Sequence, residues 1–250
     1  MTVHFMLQGK GGVGKTLTAN MLAQHQKSKN VKLVCIDTDP VNRSFFNYKS
    51  LGVEYFNIMN NDNVDQASFD NLVERILEEN DCDFIIDNGA SGFIPLTRYI
   101  IENDVIEVLN DHSIDVNLHS VVTGGESMKD TLIGLSTLLE NMPSAHIYVW
   151  LNEFFGPVQS GTKTFADMKI YKDHQSRIKG IVLIPEKGEL FTKDMQHILT
   201  EKLTFEDALS SDDIRVMVKS RLKKLQQIIF DNLDQVIDVS NNSAVPDGQG

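Results

Sequence analysis

Gly9-Lys10-Gly11-Gly12-Val13-Gly14-Lys15-Thr16 stands between a short apolar run, Val3 to Leu7, and a helical pattern from Leu17 to about Gln26. The order is strand, glycine-rich loop, helix. In that context the pattern G-x-x-x-x-G-K-[ST] reads as a phosphate-binding loop. Glycines let the backbone turn tightly with its N–H groups facing inward. Those donors, and the positive end of the helix that follows, suit an anionic phosphate. On this reading Lys15 reaches the β- and γ-phosphates and the Thr16 hydroxyl sits on Mg2+. Lys10 is not required by the generic loop and needs a separate explanation.

Outward from the loop, strands and helices alternate as in a doubly wound α/β fold with a mainly parallel sheet and helices on both faces. A strand from Lys32 to Ile36 runs into Asp37-Thr38-Asp39-Pro40. Such sheets bind ligands at the carboxyl ends of their strands, where two aspartates one residue apart can serve a Mg2+ shell and an attacking water. Phe84-Ile85-Ile86 ends in Asp87, a pattern in which the carboxylate holds the metal site. Later strands are expected at Leu118 to Thr123, Ile147 to Asn152 and Ile181 to Ile184, the last followed by Pro185. Helices are expected at Ser68 to Glu79, Ile94 to Asn103, Ser127 to Asn141 and up to about His174. Arg43 to Asn63 reads as a short helix and then a strand or irregular piece. Asp104 to Leu109 is ambiguous between helix and strand, and Gly156 to Thr164 is looser.

Ile214, Val218, Leu222, Leu225, Ile229, Leu233 and Val236 recur at steps of three and four, the mark of a long amphipathic C-terminal helix. The plainest reading docks it on the sheet of its own domain. A partner-binding helix, or a membrane or DNA contact through Arg215, Lys219, Arg221, Lys223 and Lys224, are the alternatives. The expected domain is 1–238, and the polar residues 239–250 are expected to be a disordered tail.

The chain has 250 residues, of which 41% are hydrophobic, enough for one α/β domain with a sizeable core. Lys and Arg number 23 against 35 Asp and Glu, a formal charge of −12 that disfavours non-specific nucleic-acid binding. The two cysteines, Cys35 and Cys82, are far apart and without metal spacing, so both are expected to be buried apolar residues. The histidines show no ligand pair and predict no structural metal. No apolar run reaches the ~20 residues of a membrane span. The start shows no signal segment, so the expected location is the cytoplasm.

Lys10, two glycines ahead of Val13, gives K-G-G-V-G-K-T. This resembles the deviant Walker A loop of the ParA/MinD ATPases. The resemblance implies ATP and Mg2+ as ligands, with Gly9, Lys10, Gly11, Gly12, Val13, Gly14, Lys15, Thr16 and Leu17 around the nucleotide. It implies that Lys10 reaches across a dimer interface to the partner's nucleotide. It also implies that Asp39 positions or activates the water, and that Thr16, Asp37 and Asp87 support the metal. In that family an Asn after one late strand reads adenine and an I-P segment frames it, which points to Asn152 and Pro185. Two places depart from the family pattern: Val41-Asn42 after Pro40, and Asn88 to Phe93, where the prolines of the usual switch are missing. The nitrogenase iron-protein branch is set aside, since neither cysteine lies where a bridging cluster would need it.

The finer likeness is to the TraL proteins of conjugative plasmids. Leu7 to Lys15, Ile36 to Asn42, Ile86 to Ser91, Val121 to Gly125, Val149 to Asn152 and Leu203-Thr204-Phe205 carry it. The resemblance implies a slowly hydrolysing ATPase that closes as a homodimer on ATP, acts in plasmid conjugative transfer and works with components of the transfer apparatus. Two alternatives stay open: a ParA-like plasmid partition or stability factor that binds DNA, and a nucleotide-gated interaction protein with negligible hydrolysis. A small-molecule P-loop kinase is a weaker enzyme alternative.

Overall fold

The computed structural model describes residues 1–61, 63–79, 81–186 and 188–237. The expected tail, 239–250, lies outside the described residues. In chain order the first elements are β1 (Thr2–Met6), α1 (Lys15–Ser28), β2 (Leu33–Asp37), β3 (Glu54–Tyr55), β4 (Met59–Asn60), β5 (Asn63–Val64) and α2 (Gln66–Glu78). The middle comprises β6 (Asp83–Asp87), α3 (Phe93–Glu102), α4 (Val105–Asp111), β7 (Asp115–Thr123), α5 (Met128–Asn141) and β8 (His146–Asn152). Then come β9 (Gln159–Ser160), β10 (Lys163–Thr164), α6 (Lys169–His174), β11 (Ile178–Ile184), α7 (Glu189–Thr200), α8 (Phe205–Ser210) and α9 (Val216–Val236).

Seven strands form one sheet in the order β11-β8-β7-β1-β6-β2-β3, and every neighbouring pair is parallel. Parallel strands buried on both faces need apolar residues on both, and β1 supplies them. Val3 and Phe5 enter the core shared with α2, α3, α4 and α5. Met6 enters the second core with α1, α7, α8 and α9. The chain leaves β1 toward β2 on one side, while β7 flanks β1 on the other. The crevice for a ligand opens at such a switch point, beyond the carboxyl ends of the strands.

The long helix is α9. It buries Leu222, Leu225, Ile229 and Leu233 and packs on β11, α1, α7 and α8, so its apolar stripe is spent on its own sheet. Ile214 precedes the helix, although it is buried with the rest. Asp104 to Leu109 resolves as the turn residue Asp104 and helix α4. The loose stretch at 156–164 holds the small β9–β10 hairpin, and the region 43–63 holds a 3-10 turn at Lys49–Leu51 with β3 and β4. Two helices, α7 and α8, were not anticipated. The start of α8 has a sequence sign: Thr204 and Asp207 form a capping box, each side chain bonding the other's backbone N–H. Cys35 and Cys82 are free and buried. Among the described residues no helix is long and apolar enough to cross a membrane.

Candidate functional site

The glycine-rich loop leaves the end of β1 and enters α1 through Gly14, whose φ of +107° only glycine adopts without strain. A Cβ there would also come within 2.7 Å of the Asn152 amide nitrogen. Gly12 has φ +75°. The first turn of α1 has no side-chain cap and no acidic residue, so its N–H groups stay available to an anion.

Lys15 is buried, and its ammonium donates to the Lys10 carbonyl at 3.3 Å. Burial lowers its pKa, while Asp87 and Asp39 oppose that shift. The Thr16 hydroxyl donates to Asp87 Oδ2 at 2.6 Å, joining the start of α1 to the end of β6. Asp87 is fully buried, and burial pushes its pKa up to about 7, against the Thr16 hydrogen bond. Its other oxygen, Oδ1, has no hydrogen-bond partner among the described residues. A buried carboxylate with one orphaned oxygen beside a threonine hydroxyl fits a divalent cation that also uses phosphate oxygens. Among the described residues no cluster of three or more His, Cys, Asp or Glu could hold a metal without such help.

Asp37 is buried and already committed. Its Oδ1 accepts from Asp39 N–H at 2.8 Å, and Oδ2 accepts from the N–H groups of Phe45 and Phe46 at 2.8 and 2.9 Å. Burial raises its pKa, and these bonds pull it back. Asp37 therefore shapes the loop that carries Asp39. The Asp39 carboxylate accepts from Val41 N–H, Asn42 N–H and the Asn42 side-chain amide. It also lies against Gly89, where a Cβ would sit 2.8 Å from its Cγ. The segments after β2 and after β6 thus touch each other at the mouth of the site. Thr38 links them further, its N–H bonding Asp87 O and its hydroxyl bonding Asn88 Oδ1.

A cavity of about 380 Å3 opens over this arrangement. Gly11, Lys15, Thr16, Asp39 and Asn42 line it together with Leu199 and Lys202, from the end of α7 and the turn after it. Sequence reasoning missed these two because it did not find α7. Asn152 is not on the cavity wall. It is buried, its amide donates to Val13 O at 2.8 Å, and its Oδ1 accepts from Phe154 N–H at 3.2 Å. It braces the phosphate loop from beneath. Pro185 follows β11 and is half-buried, also away from the cavity lining. Lys10 points outward and pairs with Asp130 at 2.9 Å. A larger groove of about 680 Å3 lies beside that pair between α3 and α5, with Ile94 and Ile133 on its walls. Neither Thr16 nor Asp87 lines it.

The geometry fits a phosphate loop, and comparison with known proteins points to a nucleotide-binding domain. A family model described as the CobQ/CobB/MinD/ParA nucleotide-binding domain matches residues 5–215. The chain belongs to this family. Within the CobQ/CobB/MinD/ParA family it is similar to two proteins of Escherichia coli called Protein TraL. One is 41% identical and the other 40%, each over 93% of this chain and 97% of the relative. Among solved structures it is similar to the MinD cell division protein of Aquifex aeolicus, with a TM-score of 0.52 at 18% identity, covering 91% of this chain and 95% of that one. The MinC:MinD complex of the same organism gives 0.55 at 16% identity, covering 91% and 94%. At those identities the likeness is one of fold.

Proposed function

We propose that this chain binds ATP with Mg2+, hydrolyses it slowly and uses the cycle to close and open a homodimer in plasmid conjugative transfer. The observation that carries the reading is Asp87, buried under the phosphate loop, with Oδ2 on Thr16 and Oδ1 unpartnered. A Mg2+ held by Thr16 and Asp87 would neutralise charge on the phosphate chain. Lys15 and the first turn of α1 hold the phosphates. Asp39 orients the water, and Asp37 keeps the Asp39 loop in shape. Asn152 supports the nucleotide through the loop; contact with adenine would require it to give up Val13 O. Pro185 frames the base from outside the cavity.

The switch reading draws on the contact of Asp39 with Gly89, since the two loops that would sense the terminal phosphate already touch. Lys10 leaves Asp130 to reach the partner's nucleotide, and the exposed Ile94 and Ile133 beside it give the partner an apolar face to cover. The setting in conjugation rests on the likeness to the TraL proteins, and a cytoplasmic location goes with it. Domain 1–238 is the unit that performs the cycle.

Phosphate release by wild type, Lys15→Ala and Asp39→Ala tests this reading. Wild type is expected to turn over slowly and both variants to lose most of that rate. One observation favours a second reading, a nucleotide-gated interaction protein with negligible hydrolysis: the Asp39 carboxylate is turned onto its own loop. Equal phosphate release by wild type and Asp39→Ala selects that second reading.

A further inference from the structure

The turn between α7 and α8 brings a lysine to the phosphate-loop cavity in a backbone conformation that lysine does not favour. Helix α7 ends in a Schellman-type turn, with Leu203 N–H on Ile198 O at 2.9 Å. Lys202 occupies the left-handed position of that turn, at φ +54°. Glycine is the usual residue there, because a side chain crowds the neighbouring carbonyl. Asn30, Arg43, Asn61, Asp104 and Ser113 also take positive φ among the described residues, so what sets Lys202 apart is where its side chain lies.

That side chain lines the same cavity of about 380 Å3 as Lys15. Lys15 and Lys202 are the cations among the described lining residues. Lys202 makes no ion pair among the described residues, in a chain with 35 acidic residues. Its ammonium stands 5.7 Å from the centroid of the buried Tyr48 ring, a distant contact that steadies the side chain without neutralising it. An anion in the cavity that both lysines line would neutralise this half-buried ammonium.

We infer that Lys202 is a second phosphate-binding cation, closing on the polyphosphate of a nucleoside di- or triphosphate from the α7–α8 turn while Lys15 holds it from the loop. This rests on the nucleotide occupying the phosphate loop. It makes the second helical layer, and not the loop alone, part of the binding site. Binding then ties α7 to the loop after β2, since Lys202 shares the cavity with Asp39 and Asn42.

Calorimetric titration of the full chain with ATP, ADP and adenosine, in Mg2+ at low and moderate salt, tests it. Lys202→Gln is expected to raise the Kd for ATP roughly ten- to a hundredfold, the loss of one charged hydrogen bond. Lys202→Arg keeps most of the affinity, and adenosine binding does not change. The salt dependence of ATP binding becomes shallower in Lys202→Gln. Lys202→Gly separates the side chain from the fold. Without nucleotide its melting temperature should rise by about 2–4 °C as the left-handed strain is relieved, while its Kd rises as in Lys202→Gln. Wild-type ATP affinity in Lys202→Gln or Lys202→Gly overturns the inference, provided Lys15→Ala has lost binding. If wild type and Lys15→Ala bind ATP alike, or neither binds, the phosphate-loop reading itself fails and takes the inference with it.

Discussion

Gln8 stands one residue before the phosphate loop and is fastened before the loop begins. Its amide nitrogen donates to the carbonyls of Val121 and Thr131 at 2.9 and 3.0 Å. Gly134 on α5 makes room for it, since a Cβ there would lie 2.1 Å from Gln8 Oε1. An alanine in a helix is worth about 1 kcal/mol over glycine. Here it would push a doubly bonded, buried amide out of place. Gly134→Ala is therefore expected to lose ~1–3 kcal/mol, the cost of overpacking, and to bind nucleotide more weakly because the loop loses its anchor. A melting temperature at or above wild type contradicts this. At this scale the motif residues were legible, because phosphate chemistry constrains their types and spacing. Gly134 and Lys202 were not, since what each does depends on residues far away in sequence.

Among the elements, β1 and β7 carry a polar chain inside the second core. Trp150 Nε1 bonds His119 Nδ1 at 2.9 Å, His119 Nε2 meets His4 Nδ1 at 2.9 Å, and His4 Nε2 meets the Gln26 amide at 3.0 Å. Indole can only donate, so the His119 proton sits on Nε2 and points to His4. The His4 proton then sits on its own Nε2, and Gln26 must turn its carbonyl oxygen to it. That orientation also gives a donor to Gln26 Oε1, which otherwise has no partner. Both rings are neutral. Burial drives the His4 pKa down to about 3, helped by Lys179, and the His119 pKa well below its usual value, helped by His4.

The unfolded chain takes up protons at these rings below its ordinary histidine pKa of about 6.5, while the folded chain does not until near the lowered value. Stability from this source is thus complete above about pH 7 and falls as the pH drops toward 3. For His4 the loss between pH 7 and pH 5 is about 2 kcal/mol. Melting curves at pH 5, 6 and 7 should fall more steeply for wild type than for His4→Gln; equal slopes would count against the neutral chain. Helix α9 makes a separate prediction. Ile229 is fully buried between α9 and the sheet, so Ile229→Ala should cost ~2–5 kcal/mol in a denaturant titration. A cost under 1 kcal/mol would mean that α9 is only loosely docked. The periodicity of α9 was plain in the sequence, whereas α7 was not found.

For the whole molecule, the proposed role of Lys10 is what would make the cycle need two copies. In this structure it is held by Asp130 of its own chain, with both side chains about half exposed. An exposed pair of this kind is worth at most ~1 kcal/mol, so under the proposed cycle it would not hold the lysine against a partner's phosphates. Lys10→Ala should keep its fold and its melting temperature but lose ATP-dependent dimerisation and most turnover. Light scattering with ATP reads this directly, and wild-type dimer levels would make Lys10 an ordinary loop lysine. The charge of −12 sets a second expectation: any DNA binding with ATP is weak and disappears steeply with salt.

The amino-acid sequence by itself determined the phosphate loop, the alternation that makes a doubly wound sheet, the carboxylates Asp37, Asp39 and Asp87 and the stripe of α9. Those signals are local: a spacing, a period or a residue type at a strand end. Only the tertiary structure decided what each carboxylate bonds. It spends Asp37 on backbone N–H groups, leaves one oxygen of Asp87 without a partner and sets Gly89 against Asp39. It also turned Asn152 toward the loop and carried Lys202 to the cavity. The physical reason is that burial, hydrogen-bond satisfaction and the two walls of a cavity belong to pairs of residues distant in the chain. Those pairs meet only when the sheet has brought its strand ends together.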